Sequence, residues 1–341
     1  MYEEIIKEIK ANLGGNKDLD KKYLSQQIDK YKDHQYNKEI IKEISRMMWD
    51  CLSDEEKDEF REISENETPI LDILDELSYD IESGKYETAL EKLDRFMESF
   101  TPVFEDDAFN EYHFFTNPLE EIIFNTYIGS EKEIRYIPNN QPLLDLYYIY
   151  GFLLLEAQNF DKSEEYLKKA IKINPVSSRI ILELCEIYKV HTYTYNKFYM
   201  FTTNALQYAY YPQDLGRCYR NLGYYYIEEN QMETALALFI YSMEYDLSPL
   251  AYREITYIQS KNKDLDLTLD ECIEIIGSKN IQIGPNPLVL ETLYELSYEY
   301  EKNKLFSQAS YFYNLIYELT QDDEILEKIN NTNKQLNNIN I

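Results

Sequence analysis

The sequence predicts an all-α chain built from repeated antiparallel helix pairs, and two observations carry that prediction. The first is a spacing. With Leu144 as place one, the large residues Tyr147, Tyr150 and Leu154 stand at places 4, 7 and 11, and Gly151 at place 8. Ser163, Leu167, Ala170 and Pro175 follow at places 20, 24, 27 and 32. The frame fits again from Gly216 (Tyr219, Leu222, Gly223, Tyr226, Ala235, Phe239) and, without the glycine, from Leu290 (Leu293, Leu296, Tyr300, Ala309, Tyr313, Ile316). It also fits from Ile70 (Ile73, Leu77, Ala89, Leu93, Phe96), with Pro102 one place late. The second observation is the turn. Gly84-Lys85-Tyr86, Asn159-Phe160, Asn230-Gln231-Met232 and Lys304-Leu305-Phe306 each precede a small residue at the same place. Weaker copies start near Ser178 and Leu250.

This pattern, with its period of about 34 residues, resembles the tetratricopeptide repeat (TPR) over residues 70–320. The resemblance implies a right-handed α-solenoid of antiparallel helix pairs. Small residues at places 8 and 20 let two backbones approach where the helices cross, and large residues fill the space around them. Copies stack because one pair cannot bury both of its apolar faces. The run Arg217-Cys218-Tyr219-Arg220-Asn221-Leu222-Gly223-Tyr224-Tyr225, in a chain rich in Tyr, Asn, Ile and Lys, is similar to a group of bacterial TPR proteins without an assigned activity.

Element by element, residues 1–66 read as an N-terminal helical capping segment. Ile40, Ile41, Ile44, Met47, Met48, Cys51 and Leu52 form one apolar stripe, with Trp49 beside it to pack on the first repeat. Gly14-Gly15-Asn16 ends an earlier helix, and Ser53-Asp54-Glu55-Glu56 resembles a capped start. Residues 67–102 are the first repeat. Residues 103–142 are irregular, with Pro118, Gly129, Pro138 and Pro142. Leu119, Ile122, Ile123 and Tyr127 share one helical face there, which favours a distorted repeat over an insertion. Residues 143–322 hold the main array, and 323–341 a closing helix and tail whose polar outer side suits a solenoid end.

Composition narrows the class. No run of about 18 apolar residues exists, so no membrane span is expected. The acidic start lacks the regions of a signal peptide. Cys51, Cys185, Cys218 and Cys272 form no CxxC pair, which favours reduced thiols and a cytoplasmic location. The formal net charge of −29 speaks against nucleic acid as the main ligand, and residues 1–66 hold 12 Lys and Arg against 17 Asp and Glu. A solvated, monomeric acidic protein is the expectation.

In the family that the chain resembles, ligand-facing residues lie on the concave side of each first helix. Carried over, these are Asp145, Tyr148, Phe152, Leu155 and Glu156; then Arg179, Leu182, Glu186, Lys189 and Val190; then Arg217, Arg220, Tyr224, Ile227 and Glu228; then Glu291, Tyr294, Tyr298, Glu301 and Lys302. Between Ile187 and Ile227 the cations Lys189, Lys197, Arg217 and Arg220 face one acid, Asp214, among eleven tyrosines. An arginine fork beside a phenol grips a carboxylate or phosphate. The candidate peptide- or anion-binding residues are therefore Tyr148, Arg179, Lys189, Arg217, Arg220, Asn221 and Tyr224. The competing reading pairs these arginines with nearby acids and leaves the tyrosines as packing residues. Some TPR proteins hold a partner's C-terminus in a carboxylate clamp. Arg217 and Asn221 match parts of it, but within one repeat, and Tyr148 and Phe152 replace its expected Lys and Asn. An acidic segment of a partner is thus the ligand expected, without a cofactor or metal.

Catalytic motifs are missing. His34, His113 and His191 share no metal-ligand spacing, and GxxxxGK[ST], GxGxxG and GxSxG do not occur. Two functions remain open: an interaction scaffold that holds an acidic or carboxylate-bearing segment in its groove, and a regulatory receptor in which a bound peptide controls the N-terminal helical module. The second is similar in layout to bacterial quorum-sensing regulators of the aspartate-phosphatase type.

Overall fold

The computed structural model describes residues 2–54, 56–57, 69–190, 195–262 and 265–339. Seventeen helices and one pair of strands are found among them. Three helices, α1 (Tyr2–Ala11), α2 (Lys17–Tyr31) and α3 (Asn37–Asp50), close around Ile6, Ile9, Leu24, Ile40, Ile44 and Met47 as a core of their own. The capped start expected at Ser53 is present. Its hydroxyl accepts from the Glu56 N–H at 3.1 Å, and Glu56 accepts from the Ser53 N–H at 2.7 Å.

Helix pairs follow: α4 (Pro69–Glu82) with α5 (Tyr86–Ser99), α7 (Leu143–Glu156) with α8 (Phe160–Ile173), α9 (Ser178–Val190) with α10 (Tyr195–Tyr208), and α11 (Pro212–Glu228) with α12 (Met232–Ser242). Successive pairs touch through α4–α7, α7–α9 and α9–α11. The crossings repeat in detail. A Cβ added to Gly151 would lie 2.7 Å from Leu167, and one added to Gly223 would lie 2.9 Å from the Phe239 ring; both neighbours occupy place 24. Ser163 at place 20 donates to the Gly151 carbonyl at 2.7 Å.

The turns repeat as well. Gly84, Gln158, Asn230 and Lys304 all stand at place 15, and all have positive φ, between 58° and 70°. In each, the next N–H reaches back to a helix carbonyl: Lys85 to Asp80, Asn159 to Leu154, Gln231 to Tyr226 and Leu305 to Tyr300, at 2.8–2.9 Å.

Elsewhere the regularity lapses. In the weak copy from Leu250, Tyr257 and Leu269 stand at places 8 and 20, so a close crossing has no small residues to use. Correspondingly α13 (Pro249–Lys261) and α14 (Leu269–Ser278) both pack on α12. The last pair, α15 (Pro287–Lys302) and α16 (Phe306–Thr320), has buried Ser297 in place of the glycine, and α17 (Asp323–Ile339) packs on α16.

The all-α expectation needs one amendment, in residues 103–142. Strands β1 (Asn110–His113) and β2 (Glu133–Tyr136) pair in parallel around α6 (Pro118–Tyr127), so a βαβ unit stands where a distorted helix pair was expected. Leu119, Ile123 and Phe124 bury the inner face of α6, while Ile122 and Tyr127 are partly exposed. The Glu120 carboxylate ties the unit to the helices, accepting from the Thr116 N–H (2.7 Å), Asn174 (2.8 Å) and the Tyr210 hydroxyl (2.8 Å). Outside its own pair, α15 packs mainly on α6, where Asn286 donates to the Tyr127 hydroxyl at 2.7 Å. The N-terminal helices dock on this unit too, through Arg46 to Asp107 and Arg135 to Asp50 (3.0 Å). Trp49 is half-buried.

Candidate functional site

A row of side chains runs across the first helices α7, α9, α11 and α13. At one end the Arg179 guanidinium lies 4.9 Å from the centre of the Tyr148 ring, and its Nε donates to the Tyr148 hydroxyl at 3.0 Å. In the middle, Arg217 donates to Glu183 (2.7 Å), to Glu186 (3.2 Å) and to the Leu182 carbonyl (3.2 Å). Further along, the Lys189 ammonium sits 3.9 Å from the centre of the Tyr224 ring and 3.6 Å from Glu186. The Tyr224 hydroxyl donates to Glu254 of α13 at 3.4 Å. Apart from Lys189–Glu186, which lies within α9, each contact joins two helices of the row, so the stacking of those helices fixes it.

Burial sets the electrostatics. Burial alone would lower the Arg217 pKa, but Glu183 and Glu186 outweigh it and hold the guanidinium charged. Burial raises the Asp145 carboxyl, opposed by Arg179, and raises Asp214, opposed by the Ser178 hydroxyl and Arg217. Tyr224 is pushed up to about 12 by burial and by Glu254. The face presents the charged Arg217 guanidinium and the Tyr148 and Tyr224 rings, which can hold a ligand through charge and stacking.

The structure gathers Tyr148, Arg179, Lys189, Arg217 and Tyr224 into this row but not the other two candidates. Arg220 turns to Asp246, 2.8 Å away beyond the end of α12, and Asn221 is 2% exposed. An anion pocket combining all of them does not form. Three residues apart on α11, Arg217 and Arg220 start only about 60° apart around the helix axis, and their long side chains diverge to different partners, Arg217 to Glu183 on α9 and Arg220 to Asp246 beyond α12. Among the described residues, Arg179 has no carboxylate within 4 Å.

The competing reading, in which the arginines pair with nearby acids, fits Arg217, but sequence reasoning did not single out Glu183 as its partner. A charge window running from Ile187 to Ile227 stops just short of Glu183 and Glu186. The signal was there at the repeat offset, since Glu183 and Arg217 are 34 residues apart. In stacked copies, residues one period apart are neighbours in space.

Two of the three histidines lie among the described residues. His34 accepts from the Tyr36 N–H at 3.2 Å, and buried His113 contacts the Ile173 carbonyl at 3.0 Å. His191 lies outside the described residues. No group of three or more His, Cys, Asp or Glu able to hold a metal occurs among the described residues. No described helix is long and apolar enough to cross a membrane. No protein-family model matches the sequence, and no curated protein does so either.

Proposed function

We propose that this chain is a non-catalytic interaction scaffold of the TPR type, which holds a segment of a partner protein along the concave face formed by α7, α9, α11 and α13. The observation that carries the reading is the row from Tyr148 to Glu254, in which each rung is shared by two successive helices. Such a surface is organised before the partner arrives, so less ordering is lost on binding. Gln158, Asn230 and Lys304 at one left-handed place support the repeat assignment beneath it.

The ligand is an extended segment that brings a carboxylate to Arg179 and places apolar or planar groups against Tyr148 and Tyr224. Arg217 within the row and Arg220 away from it already hold carboxylates, so neither grips the ligand. The four free, buried cysteines suit a reducing cytoplasm. A net charge of −29 suits a monomer. Titration of the partner segment against Arg179→Ala tests the reading. Loss of one charge-assisted contact costs about 1.5–3 kcal/mol, or about ten- to a hundredfold in affinity. Unchanged affinity removes the Arg179 contact and the proposed ligand chemistry with it.

One observation favours the receptor reading as second. Helices α1–α3 keep a core of their own, joined from the next segment by Phe109, and dock through Asn110–Glu43 hydrogen bonds and the ion pairs Arg46–Asp107, Arg135–Asp50 and Lys10–Glu133. Stabilisation of the full chain by short free peptides, in the absence of any protein partner, would select that reading.

A further inference from the structure

The β1–α6–β2 unit closes one edge of its sheet and leaves the other open. In the ladder, the N–H groups of Glu133 and Ile137 donate to the carbonyls of Phe109 and His113 at 2.8 and 2.9 Å. With the register Asn110↔Glu133, the main-chain groups of Ile134 and Tyr136 therefore point away from β1. No hydrogen-bond partner meets them among the described residues. The far edge of β1, by contrast, is satisfied by its own loop. Asp107 accepts from the Asn110 N–H at 3.0 Å and donates its own N–H to the Asn110 carbonyl at 3.1 Å, and Asp106 accepts from the Tyr112 N–H at 2.8 Å. An unpaired edge is a template for another strand.

Strand β2 also borders a cleft on each of its faces. Glu133 and Arg135 line one of about 440 Å³, together with Leu13, Met47 and Cys51 of the N-terminal helices. Tyr136 and Ile137 line the other, about 340 Å³, with Phe114, Phe115, Asn117 and Glu121. Side chains alternate between faces along a strand, so a strand laid beside β2 sends successive residues to opposite clefts.

We infer that β2 is a docking edge for an extended segment of a partner protein, which adds a third strand to the sheet. Main-chain hydrogen bonds to Ile134 and Tyr136 supply the affinity, and the two clefts supply the selection. The cleft beside Phe114 and Phe115 takes an aromatic or long apolar side chain. The opposite cleft, where Lys10 and Arg135 stand among Asp20, Asp50 and Glu133, takes a polar one. Exposed Glu131, two residues before β2, complements a basic residue at one end of the segment, while Glu133 is held by Lys10 and Arg135 and Glu121 by the Tyr136 hydroxyl. A second copy of this chain is the poorer occupant, because each copy brings a net charge of −29. The site shares no residue with the row on α7, α9, α11 and α13 and does not rest on the function proposed for it.

The test is a displayed library of roughly ten-residue segments, selected on the full chain. Recovered peptides are synthesised and titrated against wild type, Tyr136→Phe and Tyr136→Pro. Proline at this position removes an outward N–H and no rung of the β1 ladder. The expected peptides alternate apolar and polar residues and bind Tyr136→Pro about tenfold or more weakly than Tyr136→Phe, which keeps the outward N–H. They also slow amide exchange at Ile134 and Tyr136. Should Tyr136→Pro unfold, the same peptides carrying N-methyl groups on alternate amides are titrated against wild type. One methylated register abolishes binding and the other leaves it intact. Four results overturn the inference: an empty selection, equal binding to Tyr136→Pro, indifference to both methylated registers, or exchange at Ile134 and Tyr136 unchanged by peptide. Concentration-dependent protection of those amides without peptide overturns it in favour of a second copy.

Discussion

A methyl group added at Gly223 would meet the Phe239 ring at 2.9 Å, whereas one added at Gly277 in α14 would meet nothing within 4 Å. The two helical glycines therefore predict opposite outcomes. Gly223→Ala lowers stability by about 1–2 kcal/mol, because overpacking exceeds the gain in helix propensity. Gly277→Ala raises stability by up to about 1 kcal/mol. Urea melts of both variants check the pair, and equal shifts would refute the crossing geometry. Arg217 offers a second test at this scale. Its removal leaves Glu183 and Glu186 facing each other with their shared cation gone, and Arg217→Ala is expected to cost about 3 kcal/mol in the same melts. A cost near zero would mean that the pairing contributes nothing to the fold.

The helix ends carry a pattern of their own. Three of the four equivalent turns put a residue with a side chain into the left-handed region: Gln158, Asn230 and Lys304. Asparagine tolerates that conformation, but Gln and Lys do so at a cost. Gln158→Gly and Lys304→Gly should each raise stability by about 1 kcal/mol, while Gly84→Gln should lower it by a similar amount. Thermal melts of the three variants decide this. At this scale the sequence was most legible where small residues mark a crossing. Gly151 with Ser163 and Gly223 with Ala235 announced their helix pairs, and Ala309 did so even with Ser297 replacing the glycine. Legibility failed where contacts are distant in sequence. Nothing in residues 118–127 taken alone says that α6 will lie between two strands or that α15, beginning some 160 residues later, will pack on it. Parallel pairing of two four-residue strands leaves almost no local pattern, since Asn110, Glu111, Tyr112 and His113 carry no alternation of apolar and polar residues. The candidate face was half legible for a related reason. Repeat places brought Tyr148, Arg179, Lys189, Arg217 and Tyr224 together correctly, but the acids that neutralise Arg217 belong to the preceding copy.

Across the whole molecule, α1–α3 and the helix pairs meet at the βαβ unit, and ion pairs such as Arg46–Asp107 contribute to that junction beside the packing of Phe109. Burial would raise the Asp107 carboxyl, but the Arg46 guanidinium and the Phe109 N–H outweigh burial and bring it to about 2. A carboxylate whose pKa is lowered on folding contributes stability above its unfolded value, near 4, and loses it as pH falls through the folded value. Docking of α1–α3 should therefore weaken between about pH 4 and pH 2. Trp49, the one tryptophan of the chain, lies on α3 and reports the change by fluorescence. Asp107→Asn should flatten that transition, and an unaltered curve would show that Asp107 does not govern it. On the proposed function, partners bind along the face shared by α7, α9, α11 and α13. Photo-crosslinking from single positions in the full chain tests it most directly, with a crosslinking residue at exposed Val190 on α9 or at half-exposed Lys168 on α8. The account predicts adducts with the co-purifying partner from position 190 and none from position 168. Adducts from 168 with none from 190 would place the binding surface on the second helices and contradict it.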